Sequence, residues 1–185
     1  KIYRGAYLFL WGLFLKVFIA DNLATIVDPI YNSTGPYDGS YVLLATYAFS
    51  FQIYCDFSGY SFMAIGLAQS MGVEFIENFR RPYFSRNISE FWRRWHISLS
   101  SWFRDYIYIP LGGNKIGFKR TCLNIFITML LAGLWHGAGW NFGFFGIYHA
   151  FMIGLYYFIN KFWDKLNSFI QIFLTYQVVC LGWMI

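Results

Sequence analysis

Long apolar blocks separated by short polar stretches dominate the chain. About 20 apolar residues cross a bilayer as a helix, which makes these blocks candidate spans. Residues 6–20 form a short candidate, with Lys16 able to snorkel from near its outer end. Asp21 is expected to end it. The pairs Asp28-Pro29, Gly35-Pro36 and Asp38-Gly39 predict an irregular loop over 21–40. Residues 41–72 carry one charge, Asp56, and are too long for one upright span, which predicts a tilted or broken helix. Residues 121–160 contain no Asp, Glu, Lys or Arg. At ~1.5 Å per residue they would extend ~60 Å as one helix, about twice the hydrocarbon thickness. The glycines at 133, 137, 139, 143 and 146 therefore predict a break or a re-entrant turn near His136. Lys161, Asp164 and Lys165 then precede a further candidate span at 166–185.

The pattern changes between residues 87 and 106. Ile88, Phe91, Trp92, Trp95, Leu99, Trp102, Phe103 and Tyr106 recur at i, i+3, i+4 spacing. On a helix turning about 100° per residue they fall within about 120° of one face. Arg86, Arg93, Ser100 and Arg104 gather on the other. Asn87 with Glu90 resembles a capping box, and Glu90 with Arg94 is a favourable i, i+4 pair. This predicts one amphipathic helix lying in the membrane interface. The expected fold class is an all-α, polytopic transmembrane bundle with that interfacial helix, all 185 residues belonging to one membrane domain.

Composition agrees. Hydrophobic residues make up 58%, aromatics 24% and charged residues only 12%. Soluble domains carry roughly 25% charged residues, so this balance excludes a disordered protein, a coiled coil and a collagen-like fibre. The chain opens on Lys1 and its last stretch is apolar, so it is expected to be a piece of a longer polytopic protein. Cys55, Cys122 and Cys180 are isolated among apolar residues, which argues against a disulfide framework and against zinc.

Charge then orients the chain. Nine of the 14 Lys and Arg residues lie between 74 and 120, while 21–40 has three Asp and no Lys or Arg. The first segment is expected in the cytoplasm and the second outside. A basic excess could also suit nucleic acid. Interleaved Trp, Phe and Tyr flanked by apolar blocks fit a lipid bilayer better, so no nucleic-acid partner is expected.

The candidates for chemistry are few. His136 sits in Gly133-Leu-Trp-His-Gly137, inside the uncharged run, where an ionisable side chain is costly and suggests function. A histidine hydrogen-bonded between helices would read the same way. His96 lies at the edge of the amphipathic stripe. His149 falls about 220° round an ideal helix from His136, so the two cannot share a face or pair on a metal. Asp56 could be a structural carboxylate, an ion-path residue or a histidine orienter. There is no HExxH, no Cys/His cluster, no GxSxG and no glycine-rich phosphate loop. Leu111-Gly112-Gly113-Asn114 reads as a turn after Pro110. A buried His and Asp would equally suit a transporter with a proton relay, and an anchoring subunit would explain the aromatic helix but not His136.

Two passages are more specific. One combines Tyr54-Cys-Asp-Phe-Ser-Gly-Tyr60, Asn78-Phe-Arg-Arg-Pro-Tyr-Phe84, Glu90-Phe-Trp-Arg-Arg-Trp-His-Ile-Ser-Leu-Ser100 and Trp102-Phe-Arg-Asp-Tyr-Ile-Tyr-Ile-Pro-Leu-Gly-Gly-Asn114. The other is Gly133-Leu-Trp-His-Gly-Ala-Gly-Trp-Asn-Phe142 with Gly146-Ile-Tyr-His149. They resemble the membrane-bound O-acyltransferase family, and within it the bacterial branch related to alginate O-acetyltransferases, densely from about residue 53 to 150. The resemblance implies a many-span helical fold with a central tunnel, in the cytoplasmic membrane. It implies transfer of an acyl group from a cytoplasmic thioester, acetyl-coenzyme A or an acyl carrier, which is a substrate rather than a bound cofactor. The acceptor would be an extracytoplasmic polysaccharide, alginate-like or peptidoglycan, reached directly or through a partner acetyltransferase outside the membrane. His136 matches the catalytic histidine of the WHG motif and His96 the second motif histidine. Arg93, Arg104, Asp56 and Asn141 are secondary candidates for guiding substrate or donor. D-alanyl transfer to teichoic acid is the alternative within the family. The Tyr108-Ile-Pro-Leu-Gly-Gly-Asn114 continuation favours acetyl transfer. No metal is required.

Overall fold

A computed structural model describes residues 1–33, 35 and 38–185; Pro36, part of the expected outer loop, lies outside the described residues. Every regular element among the described residues is helical. The chain forms two compact units, residues 1–78 and 79–185.

In the first unit, α1 (Ile2–Leu13) passes through a π-helical stretch, Phe14–Ala20, into α2 (Asp21–Tyr31). Asp21 does not end the helix as expected. Lys16 Nζ donates to Asp21 Oδ1 at 2.7 Å and lies 2.6 Å from Asp56 Oδ1, so one cation bridges both carboxylates and the helix continues. The 30 residues from Ile2 to Tyr31 are long and apolar enough to cross a membrane, and much of the expected loop 21–40 is helix. α3 (Gly39–Ser70) is 32 residues long and unbroken, where a break was one expectation.

α1 and α3 run antiparallel and touch backbone to backbone. Gly5 meets Gly66 and Gly12 meets Gly59. A Cβ on Gly59 would lie 2.7 Å from the Gly12 carbonyl oxygen and 3.0 Å from the Lys16 nitrogen. Small residues at such crossings let apolar helices gain dispersion contact where lipid offers no hydrophobic driving force. Each partner pair repeats after seven residues, a signal present in the sequence but hidden among its 17 glycines.

The second unit begins with a single 3-10 turn, Pro82–Phe84, and the short helices α4 (Ile88–Arg94) and α5 (Ile97–Phe103). A π-helical turn, Arg104–Tyr108, continues α5. The expected single helix over 87–106 is therefore two helices. Asn87 caps α4 by accepting from the Glu90 N–H at 2.8 Å, and Glu90 receives the Arg86 N–H at 2.7 Å and Arg94 Nη2 at 2.6 Å. The helix stops where Trp95 turns into the aromatic core: its ring stacks 5.5 Å from Phe91 and lies 5.0 Å from both Phe79 and Trp183.

α6 (Phe118–His136) and α7 (Trp140–Trp163) then form an antiparallel helical hairpin joined through Gly137, Ala138 and Gly139. Gly133 and Gly146 are its contact points: a Cβ on Gly146 would lie 2.5 Å from the Met129 carbonyl oxygen. α7 is the second helix long and apolar enough to cross a membrane. α8 (Ser168–Gly182) returns along α7, fixed by the Tyr148 hydroxyl donating to the Val178 carbonyl at 2.7 Å.

Candidate active site

The α4–α5 joint lies against the α6–α7 turn. Ile88 sits beside Tyr156 and Trp163 of α7, and Trp92 meets Phe145 and His149 nearer the start of that helix. His96, at the joint, packs its ring 6.3 Å from Trp135. After the joint the chain leads back, and Asn124 of α6 donates to the Gly113 carbonyl at 2.9 Å.

His96 has φ 44° and ψ 57°. A non-glycine residue in the left-handed region costs roughly 1–2 kcal/mol, and such residues gather at functional sites. Local hydrogen bonds hold the reversal: the Ser100 hydroxyl donates to the Trp95 carbonyl at 3.0 Å, and the Ser100 N–H donates to the His96 carbonyl at 2.9 Å. Trp95 can then be buried while the next residue faces the other way.

It faces a cavity of about 630 Å³. His96 and His136 both line it. Trp92, Phe145, Ser100, Thr128 and Met129 line it with them. Arg80, Arg93 and Arg104 supply positive charge, and Tyr108 and Asn114 complete the part far from His136. α6 lines the cavity through Ile125, Met129, Ala132 and His136. Those residues form a stripe about 16 Å long at ~1.5 Å rise per residue.

His136 is the last residue of α6 and is exposed, not buried within the apolar run, because the glycine-rich break makes it a helix terminus. Its ring lies 5.1 Å from Trp135 and 6.3 Å from Phe145. His96 is partly buried. Burial pushes its imidazole down to about 4, and repulsion from His136 adds to the effect, so His96 is neutral at pH 7. A neutral imidazole has one nitrogen that donates and one that accepts.

The other expected residues are placed as follows. Arg93 and Arg104 are on the cavity lining, but Arg104 is also paired with its neighbour Asp105 at 2.7 Å. Asp56 belongs to the 1–78 unit, bound to Lys16, and is not among the lining residues. Asn141 is exposed in the first turn of α7 and is not among them either. His149 is fully buried among Trp92, Phe145 and Tyr148, with neither ring nitrogen hydrogen-bonded among the described residues. Those residues contain no group of three or more His, Cys, Asp or Glu able to hold a metal ion, and the three cysteines are free. Arg80, Tyr108 and Asn114 were not singled out from the sequence. Gly112-Gly113 beside Asn114 was a usable signal, because the turn has φ of 106° and 54° at those glycines and delivers Asn114 to the lining.

Two motif histidines thus meet on one cavity, and known proteins repeat that whole stretch. The sequence model of MBOAT, the membrane-bound O-acyltransferase family, matches residues 2–184. The chain belongs to that family. A relative named probable alginate O-acetylase, from Pseudomonas syringae pv. tomato, is 47% identical over all of this chain and 36% of its own length. The peptidoglycan O-acetyltransferase of Helicobacter pylori is 36% identical over all of this chain and 36% of its own. The teichoic acid D-alanyltransferase of Bacillus subtilis is 35% identical over 77% of this chain and 40% of its own. The chain spans about a third of the length of the curated relatives first named here, so what it carries is a membrane-bound O-acyltransferase segment that includes both motif histidines.

Proposed function

We propose that the protein containing this chain is a multi-pass enzyme of the cytoplasmic membrane that transfers an acetyl group from a thioester donor toward hydroxyls of an extracytoplasmic polysaccharide. The observation that carries the reading is the shared cavity of His96 and His136, with arginines on its lining. The acetyl assignment leans on the relatives, two of whose names specify O-acetyl transfer.

An acceptor hydroxyl becomes a competent nucleophile when a base takes its proton as the new bond forms. His136, open to the cavity, is the base. The hydroxyl oxygen adds to the thioester carbonyl carbon, the carbon–sulfur bond breaks, and the thiolate leaves. The proton on His136 then passes to that thiolate. Positioned base catalysis of this kind contributes typically 10²–10⁴-fold in rate. His96, neutral and held at the helix joint, donates an N–H toward the carbonyl oxygen as charge builds there. Arg93 and Arg104 attract the phosphate-bearing donor.

The test is transfer of labelled acetyl by the full-length protein in liposomes, supplied with acetyl-coenzyme A or an acetylated acyl carrier and with alginate or peptidoglycan fragments. Labelled polymer is expected. Transfer of D-alanine instead of acetyl would move the enzyme to the other branch of the family. Ion flux with no acyl transfer would replace the reading by a proton-relay transporter.

A further inference from the structure

Asn124 is fully buried next to the lining residue Ile125, and is not itself among the lining residues. Its side-chain amide donates to the carbonyl of Gly113, eleven residues earlier in the chain. That carbonyl belongs to the tight turn built by Gly112 and Gly113, both in the positive-φ region, with the Gly113 N–H donating to the Tyr108 carbonyl and the Gly112 N–H to that of Ile109, each at 2.9 Å. Tyr108 and Asn114, on either side of the turn, line the cavity far from His136. Thr128, one turn further along α6, also lines it and donates to the Asn124 carbonyl at 2.7 Å. One buried amide therefore ties the loop wall of the cavity to its helical wall.

We infer that Asn124 is a positioning residue for the acyl donor: by clamping the Gly112-Gly113 turn it sets where Asn114 and Tyr108 meet the donor's body, about 16 Å along α6 from the base. The inference rests on the acyltransferase reading above. The direction of the donor follows from charge. Lys115, Lys119 and Arg120 are exposed around the clamped turn, so the phosphate-bearing part of a thioester is attracted to that end while its acyl group reaches His136. Amide and hydroxyl groups on Asn114, Thr128 and Tyr108 suit the amides of a pantetheine arm.

A positioning role separates from a structural one in the kinetics. A fold defect removes active enzyme and lowers apparent kcat; a displaced turn weakens donor binding. In full-length protein in liposomes, with acetyl-coenzyme A as the probe, Asn124→Leu is expected to raise the donor KM about tenfold, the worth of one lost hydrogen bond to a displaced wall. The kcat and the acceptor KM should stay within twofold. Asn114→Ala, at an exposed position that does not hold the turn together, should raise the donor KM in the same direction without affecting yield. An unchanged donor KM in Asn114→Ala overturns the inference, including when Asn124→Leu does not fold. So does an Asn124→Leu protein that loses only kcat. A wild-type protein that transfers no acetyl from any thioester would instead sink the acyltransferase reading itself, and this inference with it.

Discussion

In residues 1–78, glycine brings α1 and α3 together until their backbones touch, and Lys16 pairs with both Asp21 and Asp56. In residues 79–185, glycine does the same for α6 and α7, but the polar groups beside that contact are left facing a cavity. Histidines 96 and 136 open onto that space, and one of them is held in a strained backbone conformation. The same packing device thus serves two ends. In one region it packs two helices against each other; in the other it makes a rigid wall against which polar groups can be kept in place. A side chain in the first region should matter through folding, and a lining side chain in the second through chemistry.

The largest test of that contrast is His136→Ala in the full-length protein. His136 is exposed, and its ring contacts are with Trp135, Phe142 and Phe145, so insertion and folded yield should persist. Acyl transfer should fall by about 10²–10⁴-fold. Near-normal activity would remove His136 from the role of base. The mirror experiment is Gly59→Leu. Its side chain would have to occupy the space of the Gly12 carbonyl and the Lys16 nitrogen, neither of which can rotate aside. Overpacking of this kind costs about 1–3 kcal/mol, read as a lower unfolding temperature in detergent. The protein that does fold should keep its kcat. Loss of kcat in step with stability would mean that the two regions are not separable in this way.

A smaller effect is expected from Arg93→Gln combined with Arg104→Gln. Exposed arginines speed encounter with an anionic donor, so the donor KM should rise severalfold at low salt and less at high salt. Because Arg104 already faces Asp105, Arg93→Gln alone should produce most of the change. A loss confined to kcat, at every ionic strength, would place these residues in the chemistry instead. The subtlest test is pH. The folded state holds His96 at about 4, below the ordinary histidine value of 6.5, so folding opposes its protonation. Its contribution to stability is therefore complete above 6.5 and is lost progressively as pH falls from 6.5 through 4. The wild type should lose stability over that range relative to His96→Gln. Parallel curves for the two proteins would show that His96 is not held neutral by the fold.

How far these features could be read in advance differs from residue to residue. The glycines around His136 carry the break at 137–139, because an uncharged run of that length cannot remain one helix inside a bilayer. The two histidines were recognisable from the motifs around them. The bend at His96 was not. Apolar spacing from Ile88 to Tyr106 continues as if the helix were unbroken, and the contacts of Trp95 with Phe79, Phe91 and Trp183, together with the Ser100 hydrogen bonds, make the reversal favourable. Asp21 misled for a similar reason: the lysine that pairs with it is also bound by Asp56, 35 positions away. Asn124 carries no sequence signal of its role, because its partner, the Gly113 carbonyl, is a backbone group.

The three-residue turn between α6 and α7 also bears on how the protein enters a membrane. A closed helical hairpin brings both open ends to the same side. One end carries Lys119 and Arg120, the other Lys161 and Lys165. By the positive-inside rule both ends give the same instruction, so the pair can be inserted as one unit whose orientation is encoded twice. Neutralising either set of lysines and arginines leaves the other to hold the hairpin in place.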